Sequence, residues 1–220
     1  MKRPIIILLI VGCFLFFAWV IAGATHILSI YHLPTTSNQP TYNPGDIIIA
    51  SALKKPNNNS LILFKRPDNS TWVFRCIGKE GDVIEIRNAT VYLNGKLLNE
   101  PFAWNEYYIT KDQLQRIMGY VDKNKNTVKP INDSLFSIAL TSAELKEYNL
   151  NLKLYTASKD SINPSIFPEF KKLGYNEDNL GPVKVPKNCY FVLGDSRHDA
   201  MDSRYIGFVK EDEIISTVIK

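Results

Sequence analysis

A mainly β chain is predicted: an antiparallel, partly closed β-fold with an inserted α+β cap and one N-terminal transmembrane helix. Three observations predict it. An uncharged apolar run opens the chain, short β-type runs separated by turn signals fill both flanks, and helix-capping sequences mark the segment between them.

Residues 5–23 read IIILLIVGCFLFFAWVIAG, and at 1.5 Å per residue this run just crosses a hydrocarbon core of ~30 Å. Phe, Leu and Ile fall on every face, which argues against a buried core helix. Ala22-Gly23-Ala24 has the small-x-small form of a cleavage site, so a removed signal peptide is the competing reading. Lys2 and Arg3 precede the run, and no Lys, Arg, Asp or Glu occurs between Pro4 and Gly45. The positive-inside rule then puts residues 1–4 in the cytoplasm and the main domain outside an inner (cytoplasmic) membrane, with residues 5–23 as a single-pass anchor.

Short β-type runs follow at 47–50, 61–64, 72–77, 83–86 and 90–93, and resume at 190–193 and 214–219. Asn94-Gly95 between two apolar triplets is a hairpin signal. Residues 24–102 and 188–220 are therefore assigned to the β-core and residues 103–187 to the inserted cap. Inside the cap, Thr110-Lys111-Asp112-Gln113 and Thr141-Ser142-Ala143-Glu144 are capping boxes. Pro168, with Gly174 beyond, marks a third short helix.

Composition narrows the function. In 220 residues, 26 Lys and Arg against 22 Asp and Glu give a net charge of +4, with no basic cluster suited to nucleic acid. At 45% hydrophobic and 22% charged residues, the chain is neither disordered nor collagen-like. Cys13, Cys76 and Cys189 lack zinc-site spacing and allow at most one bridge in the exported part, Cys76 with Cys189. No metal or cofactor site is expected.

The most informative stretch is Gly194-Asp195-Ser196-Arg197-His198-Asp199-Ala200-Met201-Asp202-Ser203-Arg204, directly after an apolar strand. Alone it would read as a solvated loop. Ser37-Asn38-Gln39-Pro40-Thr41, Gly45-Asp46, residues 61–67 and Arg75-Cys76-Ile77-Gly78-Lys79-Glu80-Gly81-Asp82 precede it in order. Together these five boxes resemble those of the type I signal peptidases, membrane-anchored serine proteases of the Ser–Lys kind. The resemblance runs end to end apart from the insert.

The resemblance implies a signal-peptidase-type fold and a serine endopeptidase that removes signal peptides from exported preproteins. Its partners would be those preproteins or signal peptides and the lipid bilayer. Ser37 would be the nucleophile, and the Thr35 hydroxyl with the Ser37 N–H would stabilise the oxyanion. Arg75 with Asp195, and Asp202 with Arg204, would be structural ion pairs near the site.

One departure matters. In the family the general base is the Lys just before the box arginine, where this chain has Phe74, and the Ser that holds that amine falls at Ala200. A positioned base contributes ~10²–10⁴-fold, and a site without one retains ~10³–10⁴ over water. Working enzymes need at least ~10⁶. Lys65 is one substitute base: if Arg66 faces Thr71 across a hairpin, Lys65 becomes a diagonal neighbour of Phe74. A register one residue different would put it on the other face. His198 is the other substitute. The alternative to an active peptidase is a catalytically inactive homologue that binds exported segments or a partner protein through the same groove.

Overall fold

The computed structural model describes residues 2–119, 121 and 127–219. Met1 in the expected cytoplasmic segment, residues 120 and 122–126 in the expected insert, and Lys220 lie outside the described residues. Helix α1 (Lys2–Ala24) runs for 23 residues, about 34 Å at the standard rise. Its apolar span is 0% buried inside the molecule, which removes the core-helix reading and leaves a helix long and apolar enough to cross a membrane.

Strands follow in chain order: β1 (Ser29–His32), β2 (Ile47–Ser51), β3 (Leu61–Lys65), β4 (Thr71–Lys79), β5 (Val83–Arg87), β6 (Thr90–Leu93) and β7 (Lys96–Leu97). After them come β8 (Asn105–Thr110), helix α2 (Lys111–Ile117), β9 (Val128–Pro130), β10 (Leu135–Leu140), and helices α3 (Ser142–Glu147) and α4 (Pro168–Lys172). The chain closes with β11 (Leu180–Lys184), β12 (Cys189–Leu193), helix α5 (Ser203–Ile206), β13 (Val209–Lys210) and β14 (Ile214–Val218).

A seven-stranded sheet has the order β1-β2-β14-β3-β4-β12-β13, and its pairs are antiparallel. A four-stranded sheet, β11-β5-β6-β7, packs its apolar side chains (Ile84, Ile86, Val91, Leu180) with Ile77, Phe191 and Leu193 of the large sheet in one core. The antiparallel β character is as expected, but the sheets are open rather than partly closed. Short β1 and two-residue β13 stand at opposite ends of the large sheet and do not meet.

Strand β4 positions the site. Its first half pairs with β3 and its second half with β12, so Phe74 and Arg75 sit where three strands meet. The expected Asn94-Gly95 hairpin is present between β6 and β7, with φ of 53° and 76° at the two turn residues. That pair of positive φ angles suits Asn-Gly and few other dipeptides.

The β3–β4 hairpin differs from expectation by one residue. Lys65 faces Thr71, Phe64 faces Trp72 and Ile62 faces Phe74. Arg66 N–H donates to the Ser70 carbonyl, and Asn69 takes a left-handed φ of 64°, so the loop absorbs one more residue than a tight turn. Because side chains alternate, the shift sends Lys65 to the opposite face from Phe74.

Between the flanks, β8, β10 and β9 form a three-stranded sheet with its own core around Ile109, Ile117, Ile138 and Leu140. Both capping boxes form, at Thr110 with Gln113 ahead of α2 and at Thr141 with Glu144 ahead of α3. Each satisfies backbone N–H groups that a short helix would otherwise leave unpaired. Helix α4 starts on Pro168 and buries Phe170 in the β-core. Strand β11, counted with the insert by sequence, is hydrogen-bonded to β5. Cys76 and Cys189 are free thiols, and burial pushes the Cys76 thiol up to about 12.

Candidate active site

Ser37 lies in a 3₁₀ turn, Thr36–Asn38, that follows β1. Two prolines, Pro34 and Pro40, flank the turn and keep it from joining a regular element. The Ser37 Oγ is 2.8 Å from the Thr35 Oγ1. Its carbonyl accepts the Ser196 N–H at 3.1 Å, and the Asn38 side-chain amide donates to the Val73 carbonyl at 3.1 Å. The turn is thus tied to the loop after β12 on one side and to β4 on the other.

A cleft of about 400 Å³ opens beside this turn. One wall is the extended chain from Tyr31 to Thr35 and the other is β4 from Thr71 to Phe74, with Asp199 and Met201 at the rim. No lysine lines it among the described residues, and its ionisable side chains are Tyr31, His32 and Asp199. The walls are two stretches of β-type backbone with mostly apolar side chains between them, a shape that takes an extended peptide.

One flank of the turn is densely ionic. The Arg75 guanidinium donates Nε and Nη2 to the two Asp195 oxygens at 2.6 and 2.5 Å, and Nη1 to the Asn59 carbonyl at 2.6 Å. Asp195 is fully buried, and the Thr41 hydroxyl donates to it at 2.5 Å. Phe102 stacks 3.9 Å from the guanidinium carbon. Such a pair is tolerated in the interior because every charged atom is hydrogen-bonded.

Asp202 and Arg204 form the second expected pair, with both Asp202 oxygens accepting from the guanidinium at 2.8 Å. Asp202 also accepts the Gly194 N–H at 3.0 Å, while the Arg197 Nε donates to the Gly194 carbonyl at 3.1 Å. Burial alone would lower the Arg204 pKa, but the Asp202 charge and hydrogen bonds outweigh it and raise it.

The other flank is apolar. A Cβ placed on Gly194 would lie 2.3 Å from the Ala200 Cβ, 2.9 Å from the Ser37 carbonyl oxygen and 3.5 Å from the Phe74 ring. Gly194 is therefore the point where Ser37, Phe74 and Ala200 converge, and only a residue without a side chain fits there. Phe74 is 4% exposed and packs against Phe64 at 6.1 Å and edge-on against Trp72 at 5.9 Å between ring centroids.

The two substitute bases go elsewhere. Lys65 is exposed at the end of β3, on the face away from Phe74, and is not among the residues lining the cleft. His198 turns away from the cleft, placing its Nε2 3.1 and 3.3 Å from the two oxygens of Asp178 in the insert. The geometric ground for either residue as a base at Ser37 is absent.

Several participants escaped the sequence reading. The Asp199 carboxylate accepts the Thr36 hydroxyl, Arg197 pairs with Glu100, and Thr41 joins the Arg75–Asp195 pair. Thr41 could have been found, since it stands in the same box as Ser37. Asp178 and Glu100 carry no local signal because their partners lie 20 and 97 positions away. Burial pushes the Asp178 carboxyl up, but the His198 hydrogen bond and charge, with the Ala157 N–H and Arg204, hold it below the ordinary carboxylate value.

Known proteins place this geometry. The family described as "Signal peptidase, peptidase S26" matches residues 5–219. A signal peptidase I of Buchnera aphidicola (subsp. Baizongia pistaciae) is 30% identical over 89% of this chain and 69% of its own length. A signal peptidase I of Aquifex aeolicus is 28% identical over 93% of this chain and 79% of its own. A crystal structure of a signal peptidase I from Enterococcus faecalis is similar at 25% identity and a TM-score of 0.37, covering 76% of this chain and 98% of that one. The match of residues 5–219 spans helix α1, the Ser37 turn and the Gly194–Arg204 loop alike, and the chain belongs to the signal peptidase family.

Proposed function

We propose that this chain is a membrane-bound serine endopeptidase that removes signal peptides from exported preproteins, with Ser37 as nucleophile. The observation that carries the reading is the Thr35–Ser37 hydroxyl pair, 2.8 Å apart, at the edge of a cleft walled by two extended segments. Helix α1 would be the anchor. Lys2 and Arg3 ahead of it would keep the N-terminus cytoplasmic and the β-core on the far side.

A precursor would lie in the cleft as an added strand, with small apolar side chains towards Leu33, Val73 and Met201. The Ser37 oxygen attacks the scissile carbonyl carbon, and its proton passes through solvent water in the open cleft to the amide nitrogen that leaves as the amine. The carbonyl oxygen becomes an oxyanion facing the Thr35 hydroxyl and the Ser37 N–H. Collapse expels the new amine and leaves an acyl-enzyme for water to hydrolyse. The Arg75–Asp195 pair moves no proton in this scheme; with Thr41 it fixes the loop that holds the Ser37 turn.

A second reading is favoured by Phe74 and Ala200, which put ring and methyl carbons where the family has its amine and hydroxyl. On it, the chain holds an exported segment or a partner protein in the cleft without cutting. One experiment separates the two. Full-length protein in detergent is incubated with a preprotein, beside Ser37→Ala. Cleavage that falls at least about 10³-fold in the variant supports the peptidase. Absence of cleavage at any pH, with the preprotein still crosslinked to the cleft, supports the binder.

A further inference from the structure

The buried contact between Asp178 and His198 joins the insert to the loop behind the Ser37 turn, and neither the ion pairs nor the cleft account for it. His198 lies between Arg197 and Asp199 in the tight turn after Gly194. Its side chain is 13% exposed and that of Asp178 is 2% exposed. The Nε2 carries a proton shared between the two Asp178 oxygens, and the Tyr155 ring meets the imidazole edge-on at 5.9 Å. The Nδ1 is buried and has no partner among the described residues, so Asp178 is the polar anchor of this side chain.

Asp178 is itself held firmly. Ala157 N–H donates to its carboxylate at 2.7 Å, and its own N–H donates to the Asn176 side chain at 3.1 Å. On the other side of His198 the same turn reaches the nucleophile. The Ser196 N–H binds the Ser37 carbonyl, Asp199 N–H closes the turn onto the Ser196 carbonyl at 3.1 Å, and the Asp199 carboxylate takes the Thr36 hydroxyl.

We propose that His198 and Asp178 are positioning residues: the insert, through this contact, sets the 196–199 turn that holds the backbone of the Ser37 loop. An anchored imidazole fixes its own backbone. Ser196 before it and Asp199 after it then present one N–H and one carboxylate to adjacent residues of the Ser37 turn. Without the anchor, Arg197 keeps its backbone bond to Trp104 and its ion pair with Glu100, and the restraint that reaches Ser196 and Asp199 through His198 is lost. The insert is thereby part of the site's support. The effect on turnover rests on the proposed function, whereas the effect on the loop does not.

The test is hydrogen exchange on the full chain in detergent micelles, comparing wild type, Asp178→Ala, His198→Ala, the double variant and His198→Gln. Either single substitution is expected to speed exchange of the Ser196 amide by about tenfold or more while leaving the distant β2–β14 pairing unchanged. The double variant should exchange no faster than the faster single. His198→Gln, whose side-chain amide can still donate to Asp178, should restore protection. Unchanged Ser196 exchange in both singles overturns the proposal, as does equal acceleration in the β2–β14 pairing, which would mean global loosening. Where wild type cleaves a preprotein, the singles should lower kcat with KM held within about twofold. If wild type does not cleave, the proposed function fails and the exchange pattern still decides this inference.

Discussion

The two flanks of Ser37 are built on opposite chemistry. On one, Arg75, Asp195, Asp202 and Arg204 are buried with their charges paired, and the hydroxyl of exposed Thr41 donates to Asp195. On the other, Phe74 and Ala200 present carbon to the same turn, with Phe64 and Trp72 packed in the same apolar cluster. On the proposed reading of Ser37 as nucleophile, holding it in place and taking its proton are separable tasks. The ionic flank does the first without the second, since its guanidinium groups are committed to carboxylates and carbonyls.

Exchanging the apolar flank for the family's residues should give the largest effect. Phe74→Lys with Ala200→Ser puts an amine and its hydroxyl partner at the point where Gly194 and Ser37 meet. Preprotein cleavage is expected to rise by ~10²–10⁴-fold, the contribution of a positioned base. A gel assay showing no rise would mean that the ionic flank does not hold Ser37 ready. The ionic flank answers to a stability measurement instead. Arg75→Leu strands a fully buried Asp195 carboxylate, and thermal unfolding should show a loss of ~3–5 kcal/mol. A loss of under 1 kcal/mol would place the pair outside the fold's essential support.

The meeting point of the flanks offers an intermediate effect. Gly194→Ala drives a methyl against Ala200 and the Ser37 carbonyl, at an overpacking cost of ~1–3 kcal/mol by denaturant unfolding. Full stability would show that the turn can yield. The smallest effect is in acid. The Asp178 carboxyl is depressed in the folded chain, so the unfolded chain binds the proton first. Its contribution is present above the unfolded value of about 3.9 and is lost as pH falls through the lower folded value. Urea unfolding of Asp178→Asn between pH 6 and 3 should show a shallower decline than wild type.

What the sequence made legible was local. The α1 run, the Asn94-Gly95 hairpin and the Thr110 and Thr141 capping boxes each need only neighbouring residues, and each is found as read. Ser37, Arg75 and Asp195 were legible through ordered boxes, and so was the loss at Phe74. The position of Lys65 was not, because Asn69 enters the left-handed region and lengthens the turn by one residue, which inverts every side chain beyond it. His198 read as an exposed histidine and a substitute base because its partner stands in another loop, 20 residues earlier. Open sheet edges were also hidden, since short strands read alike whether or not the ends of a sheet meet.

The join between helix and sheet has a consequence of its own. Residues 25–28 alone separate α1 from β1, and even fully stretched they span roughly 14 Å. They are not stretched: the His26 carbonyl accepts the Ala52 N–H at 2.8 Å and the Ile27 carbonyl accepts the Ser51 hydroxyl at 2.5 Å. With α1 in a bilayer, as proposed, this short leash would set the height of the Ser37 hydroxyl above the lipid. On that reading protein and precursor would share a common zero, and the point of attack would be chosen by counting residues from the precursor's own membrane exit.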